Sequence, residues 1–384
     1  MRIRTQHAVA ADRLFDGARL HRDAAVVIEG SQITAVVPRT ELPVGLSTQT
    51  LPDGTWLAPG FIDLQVNGGG DVLFNEVPTV EGIRAIAAAH RKFGSTSFLP
   101  TLISDSPDKM KIAWDAVQQL VDVEPGVIGI HFEGPFLSPE KPGVHAQRYI
   151  RPPTAADATM LTASRRGAML MTLAPERVPR GFVKQLVDAG VRVSLGHSMA
   201  SYAETRAAMA EGMAGFTHLF NAMRSLGSRD PGPIAAALES EAAWFGMIAD
   251  GIHVDPVMLR LALRGAAQPI LITDAMPPVG GDRRSFALYG QEISVTAGKC
   301  LRADGTLAGT MLDMATAVRN CVRLLGVTLE AALRFASTHP ATFLGLEHRL
   351  GRLAPGCRAD MVAIAPDEIE VLQTWVAGDT KLAG

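Results

Sequence analysis

Four residues of this chain have the types and the placement that metal-assisted hydrolysis needs: Glu133, His197, His218 and Asp274, each at the end of a short apolar run. Carboxylates and imidazoles are ligands for zinc-like divalent ions, and a catalytic site of that kind keeps one position open for water. Glu133, His197 and His218 would supply one carboxylate and two imidazoles, with Asp274 as a base beside them. Their separations are long, so no local pattern of the HExxH kind carries the assignment. What carries it is that each residue closes a different run. One strand-end histidine alone is more often a cap or a core hydrogen-bonding group, but three candidate ligands with an aspartate on a fourth run reverse that balance. His131 lies two residues before Glu133 and shares its strand face. It is placed one layer beneath the metal, because the polar turn begins at Glu133.

The elements that must position these residues are legible in the same runs. GVIGIHFEGPF, GVRVSLGHS, MAGFTHLFNAM and QPILITDAMPP are short, rich in Val, Ile, Leu or Phe, and stopped by Gly, Pro or Asn, which predicts buried strands. Stretches such as EGIRAIAAAHRKFG, DKMKIAWDAVQQLVD and SYAETRAAMAEG lie beside or between them with helical spacing of apolar residues. This α/β alternation calls for a parallel sheet. Polar residues at successive strand C-termini favour its closed form, a (β/α)8 TIM-type barrel, whose sites gather at that face. Both chain ends read instead as short strands and turns, as in AVVIEGSQITAVVP and DMVAIAPDEIEVLQTWVAG. They predict one small β domain formed by residues 1–56 and 346–384 around a barrel of residues 57–345. Residues 279–308 interrupt the helices with a β excursion directly after Asp274, which could cover the site.

Composition bounds the function. The 384 residues, 47% hydrophobic and 20% charged, suffice for one large barrel and a satellite. A formal net charge of −3 without a basic run gives no reason to expect nucleic acid or an anionic membrane as partner. The first residues lack a continuous apolar h-region and no apolar stretch reaches spanning length, so a cytoplasmic location is expected. Cys300, Cys321 and Cys357 are odd in number and widely spaced, and are read as reduced packing residues. His7, His21, His90 and His348 are assigned to solvated surface segments, and His339 to local turn contacts.

At this point the strings LAPGFIDLQVNGGG, HFEGPFLSPEKPGVH, LAPE, SLGHS, THLFNAM, RDPG, ADGIHVD and LITDAM, in this order, give a resemblance covering nearly the whole chain. Together they resemble the N-acetylglucosamine-6-phosphate deacetylases of the amidohydrolase superfamily. The resemblance implies a barrel with a β-sandwich satellite, usually a homodimer, that removes acetate from an amino-sugar phosphate. It implies the metal role of Glu133, His197 and His218, and a catalytic role for Asp274 as general base and then general acid. Val144 and His145 take the positions of substrate contacts, with His145 a donor to the acetyl carbonyl. Arg229 and His253 take those of phosphate contacts, the arginine offered across the dimer interface. Asn221 and Ala222 would touch the phosphate or the sugar, and Leu307, Ala308 and Gly309 would border the acetyl region. Arg224, Arg283 and Arg284 compete for the phosphate but match none of these motifs.

One departure separates the chain from the binuclear subset of that superfamily, whose first barrel strand ends in His-x-His. Gln65 and Asn67 stand there instead, and neutral amides are poor ligands for a transition metal. One divalent metal ion per subunit is therefore expected, zinc first, with iron, cobalt or manganese as the other cations such a set accepts. Gln65 and Asn67 would hydrogen-bond the water or the loops above. The other readings are the galacto epimer as substrate, a nucleobase or cyclic-amide hydrolase, and a non-catalytic barrel serving interaction alone. The last would show damage at its chemical positions, and here all are in place.

Overall fold

The computed structural model describes residues 6–365 and 367–380. The strands of the two chain ends are β1 (Gln6–Phe15), β2 (Leu20–Glu29), β3 (Gln32–Pro38), β4 (Ser47–Thr50), β5 (Trp56–Pro59), β20 (Met361–Ala365) and β21 (Glu370–Trp375). They form one seven-stranded sheet in the order β21-β20-β5-β1-β2-β3, with β4 also paired to β1. The sheet forks because β1 is long: His7–Ala10 pair with β4, whereas Arg13 and Leu14 pair with β5. Alternation along β1 and β2 gives each face its own core. Val9, Val26 and Ile28 pack with Met361 and Trp375 on one face, and Ala8, Ala10, Ala25 and Val27 pack on the other. The tail strand thus joins the N-terminal strands through β5, and the sheet from both ends is a body separate from the barrel.

The barrel strands are β6 (Phe61–Val66), β9 (Ser95–Ile103), β10 (Gly129–Glu133), β11 (Ala168–Leu173), β12 (Arg192–Leu195), β13 (Gly215–Phe216), β14 (Trp244–Met247) and β15 (Gln268–Leu271). Each is hydrogen-bonded to the next in parallel, and β7 (Gly68–Gly69) and β8 (Val72–Leu73) pair antiparallel in the loop after β6. The ring is closed just past β15, where Val66 bridges Ala275, Asp274 N–H donates to Gln65 O at 3.0 Å and Asn67 N–H to Ala275 O at 3.0 Å. Every residue of β6, β9 and β10 is buried, as expected for parallel strands covered on both sides.

Each barrel strand is followed by a helix: α1 (Val80–Arg91), α2 (Pro107–Leu120), α3 (Ala155–Thr162), α4 (Phe182–Asp188), α5 (Tyr202–Ala210), α6 (Gly232–Leu238), α7 (Pro256–Ala262) and α8 (Met314–Leu325). Their starts are written in the sequence. Thr79, Ser106, Asp255 and Asp313 accept from backbone N–H groups of the first turn, and Thr154 and Ser201 form capping boxes with Asp157 and Glu204. Between β15 and α8 the chain inserts a four-stranded antiparallel sheet, β16 (Ser285–Leu288), β17 (Gln291–Thr296), β18 (Lys299–Leu301) and β19 (Leu307–Thr310). This is the expected β excursion, and its last strand returns to the barrel where Ala275 bridges Thr310. Among the described residues no helix is long and apolar enough to cross a membrane. All three cysteines are free and buried.

Candidate active site

The barrel's C-terminal face brings the four chemical residues together. Glu133 is the last residue of β10, and His197, His218 and Asp274 lie two or three residues beyond β12, β13 and β15. His197, His218 and Asp274 all have positive φ, at 48°, 33° and 52°. Such backbone is rare for residues with a Cβ and costs about 1–3 kcal/mol each, a strain that clusters at functional sites. Here it turns the side chains off the strand direction and into the mouth of the barrel.

Glu133, His197 and His218 are nearly inaccessible to solvent, at 2%, 5% and 4% exposure. The Nε2 atoms of His197 and His218 lie 3.1 and 2.9 Å from Glu133 Oε1 and 3.2 Å from each other. Among the described residues these three form the one group of His, Cys, Asp or Glu able to hold a metal ion, with ligand atoms within 4.8 Å of one another. His197 Nδ1 donates to the Lys141 carbonyl at 2.8 Å, which leaves the Nε2 lone pair of the neutral ring facing the cluster. Converging lone pairs repel unless a cation or proton lies between them, so the donor set fits a divalent ion. Burial would raise the Glu133 carboxyl, but the His197 and His218 imidazoles beside it hold it well below the usual range.

Asp274 is placed for proton transfer. Its Oδ1 accepts from Gln65 Nε2 at 3.1 Å and from Asn67 Nδ2 at 2.6 Å, so Oδ2 is the oxygen left for chemistry. Burial, and then the charge of Glu133, push its pKa up to about 6. Gln65 also donates to Glu133 Oε2 at 3.1 Å. The two amides at the former His-x-His positions therefore grip the carboxylates, where sequence reasoning had them on the water or the loops. Their N–H groups face the strongest acceptors within reach, and that pairing follows from β6 lying beside Asp274 in the closed ring.

His145 is 4% exposed. Its Nδ1 lies 3.2 Å from the Ser104 backbone N and 2.8 Å from Ser104 Oγ. A backbone N–H can only donate, so Nδ1 accepts and the proton of the neutral ring is on Nε2. Burial and the nearby His197 depress this imidazole well below its ordinary pKa, which keeps it neutral with its Nε2–H available as a donor. Gly143 crosses over His197 with φ of 53°, and a Cβ there would stand 3.0 Å from His197 Cε1.

A cleft of about 680 Å³ opens onto this cluster. Of the expected substrate contacts, Val144, His145, Asn221, Ala222, His253 and Leu307 line it, as does Gly309. Ala308 does not: it is fully buried and packs with Met276, Phe286 and Cys300 in the core of the inserted sheet. Strand alternation explains this, since neighbours at 307 and 309 face the cleft and the residue between them must face away. Arg229 is exposed and lies outside the lining, which holds no arginine or lysine among the described residues. Arg224 is tied to Asp230. His253 Nδ1 is held by Asp250 Oδ2 at 2.6 Å. Ile103, Ile248, Met276 and Thr306 also line the cleft without having been singled out. Thr306 could have been found, because it lies directly before Leu307 at the start of β19.

The remaining histidines divide. His131 lies under the cluster between Thr101 and Thr172, at 3.2 and 2.8 Å, and is no ligand. His348 is exposed and His21 pairs with Asp16. His90 is not at the surface: it is fully buried, with Nε2 2.9 Å from Gly68 O, because the face of α1 that carries it packs on the loop after β6. His339 reaches a distant partner, the Pro269 carbonyl at 2.7 Å, where local turn contacts were expected.

Comparison with known proteins agrees with this geometry. A Shewanella N-acetylgalactosamine-6-phosphate deacetylase is 44% identical over 333 residues, 86% of this chain and 84% of that protein. The Haemophilus influenzae N-acetylglucosamine-6-phosphate deacetylase is 35% identical over 94% of this chain and 95% of its own length. The crystal structure of N-acetylglucosamine-6-phosphate deacetylase from Pasteurella multocida superposes with a TM-score of 0.94 at 34% identity, covering 98% of this chain and 99% of that one. The amidohydrolase family model matches residues 56–381, and this chain belongs to the amidohydrolase family.

Proposed function

We propose that the protein hydrolyses the acetamide of N-acetylglucosamine 6-phosphate to glucosamine 6-phosphate and acetate. The observation that carries this reading is the buried Glu133–His197–His218 group facing Asp274 across one cleft. A divalent cation held by Glu133, His197 and His218, zinc first, would supply Lewis acidity toward water and the acetyl carbonyl. Asp274 Oδ2 takes a proton from the attacking water and returns it to the departing nitrogen. His145 donates from Nε2 to the acetyl oxygen as negative charge gathers there. Val144, Leu307 and Gly309 enclose the acetyl and sugar groups. The phosphate lies toward Asn221, Ala222 and His253, and Arg229 of the partner subunit in a homodimer provides the cation that this chain's own lining lacks. The cytoplasm is the compartment proposed.

The galacto epimer is a second reading, favoured by the 44% identity to the Shewanella enzyme. The two differ in one hydroxyl, and a site that hydrogen-bonds one epimer's hydroxyl can reject the other strongly. Acetate release from both 6-phosphates and from unphosphorylated N-acetylglucosamine, with metal quantified on the same sample, tests the proposal. Turnover of neither phosphate by metal-loaded protein would refute it.

A further inference from the structure

We propose that Asn67 is a substrate-contacting residue whose Oδ1 accepts the acetamido N–H and so sets the leaving nitrogen beside Asp274. This rests on the deacetylase reading and adds a residue to it.

Asn67 is fully buried and lines the cleft. Its Nδ2 donates to Asp274 Oδ1 at 2.6 Å. An ionised carboxylate only accepts, so the nitrogen and not the oxygen of this amide must face Asp274. Oδ1 then points elsewhere, and it is buried without any hydrogen-bond partner among the described residues. Such an acceptor costs about 1–3 kcal/mol when left unmade, and native structures keep few of them without a reason. Asn67 cannot turn to find a donor, because its own N–H is given to Ala275 O at 3.0 Å and its carbonyl receives Phe74 N–H at 2.8 Å. The amide of Gln65 is spent as well: its Nε2 serves Glu133 and Asp274. The missing donor must come from what enters the cleft.

An acetamido sugar brings one N–H, on the atom that has to receive the proton from Asp274. One amide that donates to Asp274 and accepts from this N–H fixes the two reacting groups side by side. In the productive step the C–N bond breaks, its electron pair stays on nitrogen, the proton held by Asp274 moves to that nitrogen, and amine and acetate separate. As the nitrogen gains the second proton its N–H groups become stronger donors, so the contact with Asn67 strengthens toward the transition state. An oxygen ester at the same ring position has no N–H to offer, and Asn67 can tell the two apart.

The test compares N-acetylglucosamine 6-phosphate with 2-O-acetylglucose 6-phosphate on metal-loaded wild-type protein and Asn67→Ala. The expected loss of kcat/KM is about 100-fold for the amide and less than about 5-fold for the ester. Equal losses on both would overturn the proposal, since a residue that only holds the attacking water serves both substrates alike. So would no loss on either. Calorimetry on wild-type protein gives a second readout that needs no variant to fold. Glucosamine 6-phosphate should bind at least about 10-fold more tightly than glucose 6-phosphate, and equal affinities would overturn the proposal. Failure of the wild type to release acetate would refute the deacetylase reading, whereas turnover with an unchanged amide-to-ester ratio refutes only the role of Asn67.

Discussion

Gln65 and Asp274, 209 residues apart, are joined by a hydrogen bond of 3.1 Å, and the same Gln65 nitrogen reaches Glu133 at 3.1 Å. One neutral amide thus ties the base to the metal-ligand group. It keeps two buried carboxylates at fixed separation without adding charge, which a histidine or a glutamate at that position would change.

That arrangement predicts an acid limb in the rate. Asp274, raised to about 6 by burial and then by Glu133, acts as a base only when ionised. The kcat/KM should hold above that pH and fall about tenfold per unit below it. Asp274→Asn should keep its metal and lose about 10²–10⁴-fold in turnover at every pH. A variant with near-normal turnover would remove Asp274 from the mechanism.

Gly143 predicts a metal-binding defect without any change of ligand. In Gly143→Ala the new Cβ meets His197 Cε1 at 3.0 Å in a backbone of φ 53°. His197 must shift off the Lys141 carbonyl, and metal affinity should drop roughly 10–100-fold, the usual cost of disturbing what orients a ligand. Competition with a chromophoric chelator measures it, and unchanged affinity would show that the loop yields instead.

For the phosphate, Arg229→Ala should raise KM for the phosphorylated sugar by about 10–100-fold, the worth of a charge-assisted hydrogen bond, and leave the unphosphorylated sugar unaffected. Equal effects on both would place Arg229 away from the phosphate. Sedimentation of the wild type should show a dimer if this arginine reaches the site from the partner subunit.

Asp63 predicts a pH dependence of stability in the layer below. It is fully buried, accepts from Gln65 and Thr273 N–H groups at 3.2 and 3.3 Å and bonds Thr273 Oγ1 at 2.5 Å, yet burial raises its pKa to about 7. A carboxyl raised on folding stabilises fully below its unfolded pKa, and that contribution is lost as pH rises through the folded value. Asp63→Asn should therefore gain on the wild type between pH 4 and pH 7, by an amount on the order of a few kcal/mol. Parallel denaturant titrations at several pH values check the sign, and a constant difference would contradict it.

Much of the site was legible because a buried parallel strand is a continuous apolar run, so the ionisable residue where that run gives way to a polar turn marks the barrel mouth. Glu133, His197, His218 and Asp274 were readable in that way; the β excursion was read at 279–308 from its break in the helix pattern, and its last strand, β19, carries Leu307 and Gly309 to the cleft. His131 shares Glu133's face on the two-residue period of the strand and was separated from it only by lying one layer deeper, before the polar turn that begins at Glu133. Ala308 could have been excluded on the same two-residue period, which its neighbours obey.

What the sequence by itself determined is residue type, period and end of run: which side chains can ligate, which strand or helix holds them, and that both chain ends form strands. What only the tertiary structure decided depends on contacts between residues far apart in the chain. Closure of the barrel between β6 and the segment after β15 turned Gln65 and Asn67 onto the Asp274 carboxylate, some 200 residues away. Packing of α1 buried His90, and the Ser104 N–H chose the tautomer of His145. Hydrogen bonds and burial are properties of the partner as much as of the residue, and the partner is known only once the ring has closed.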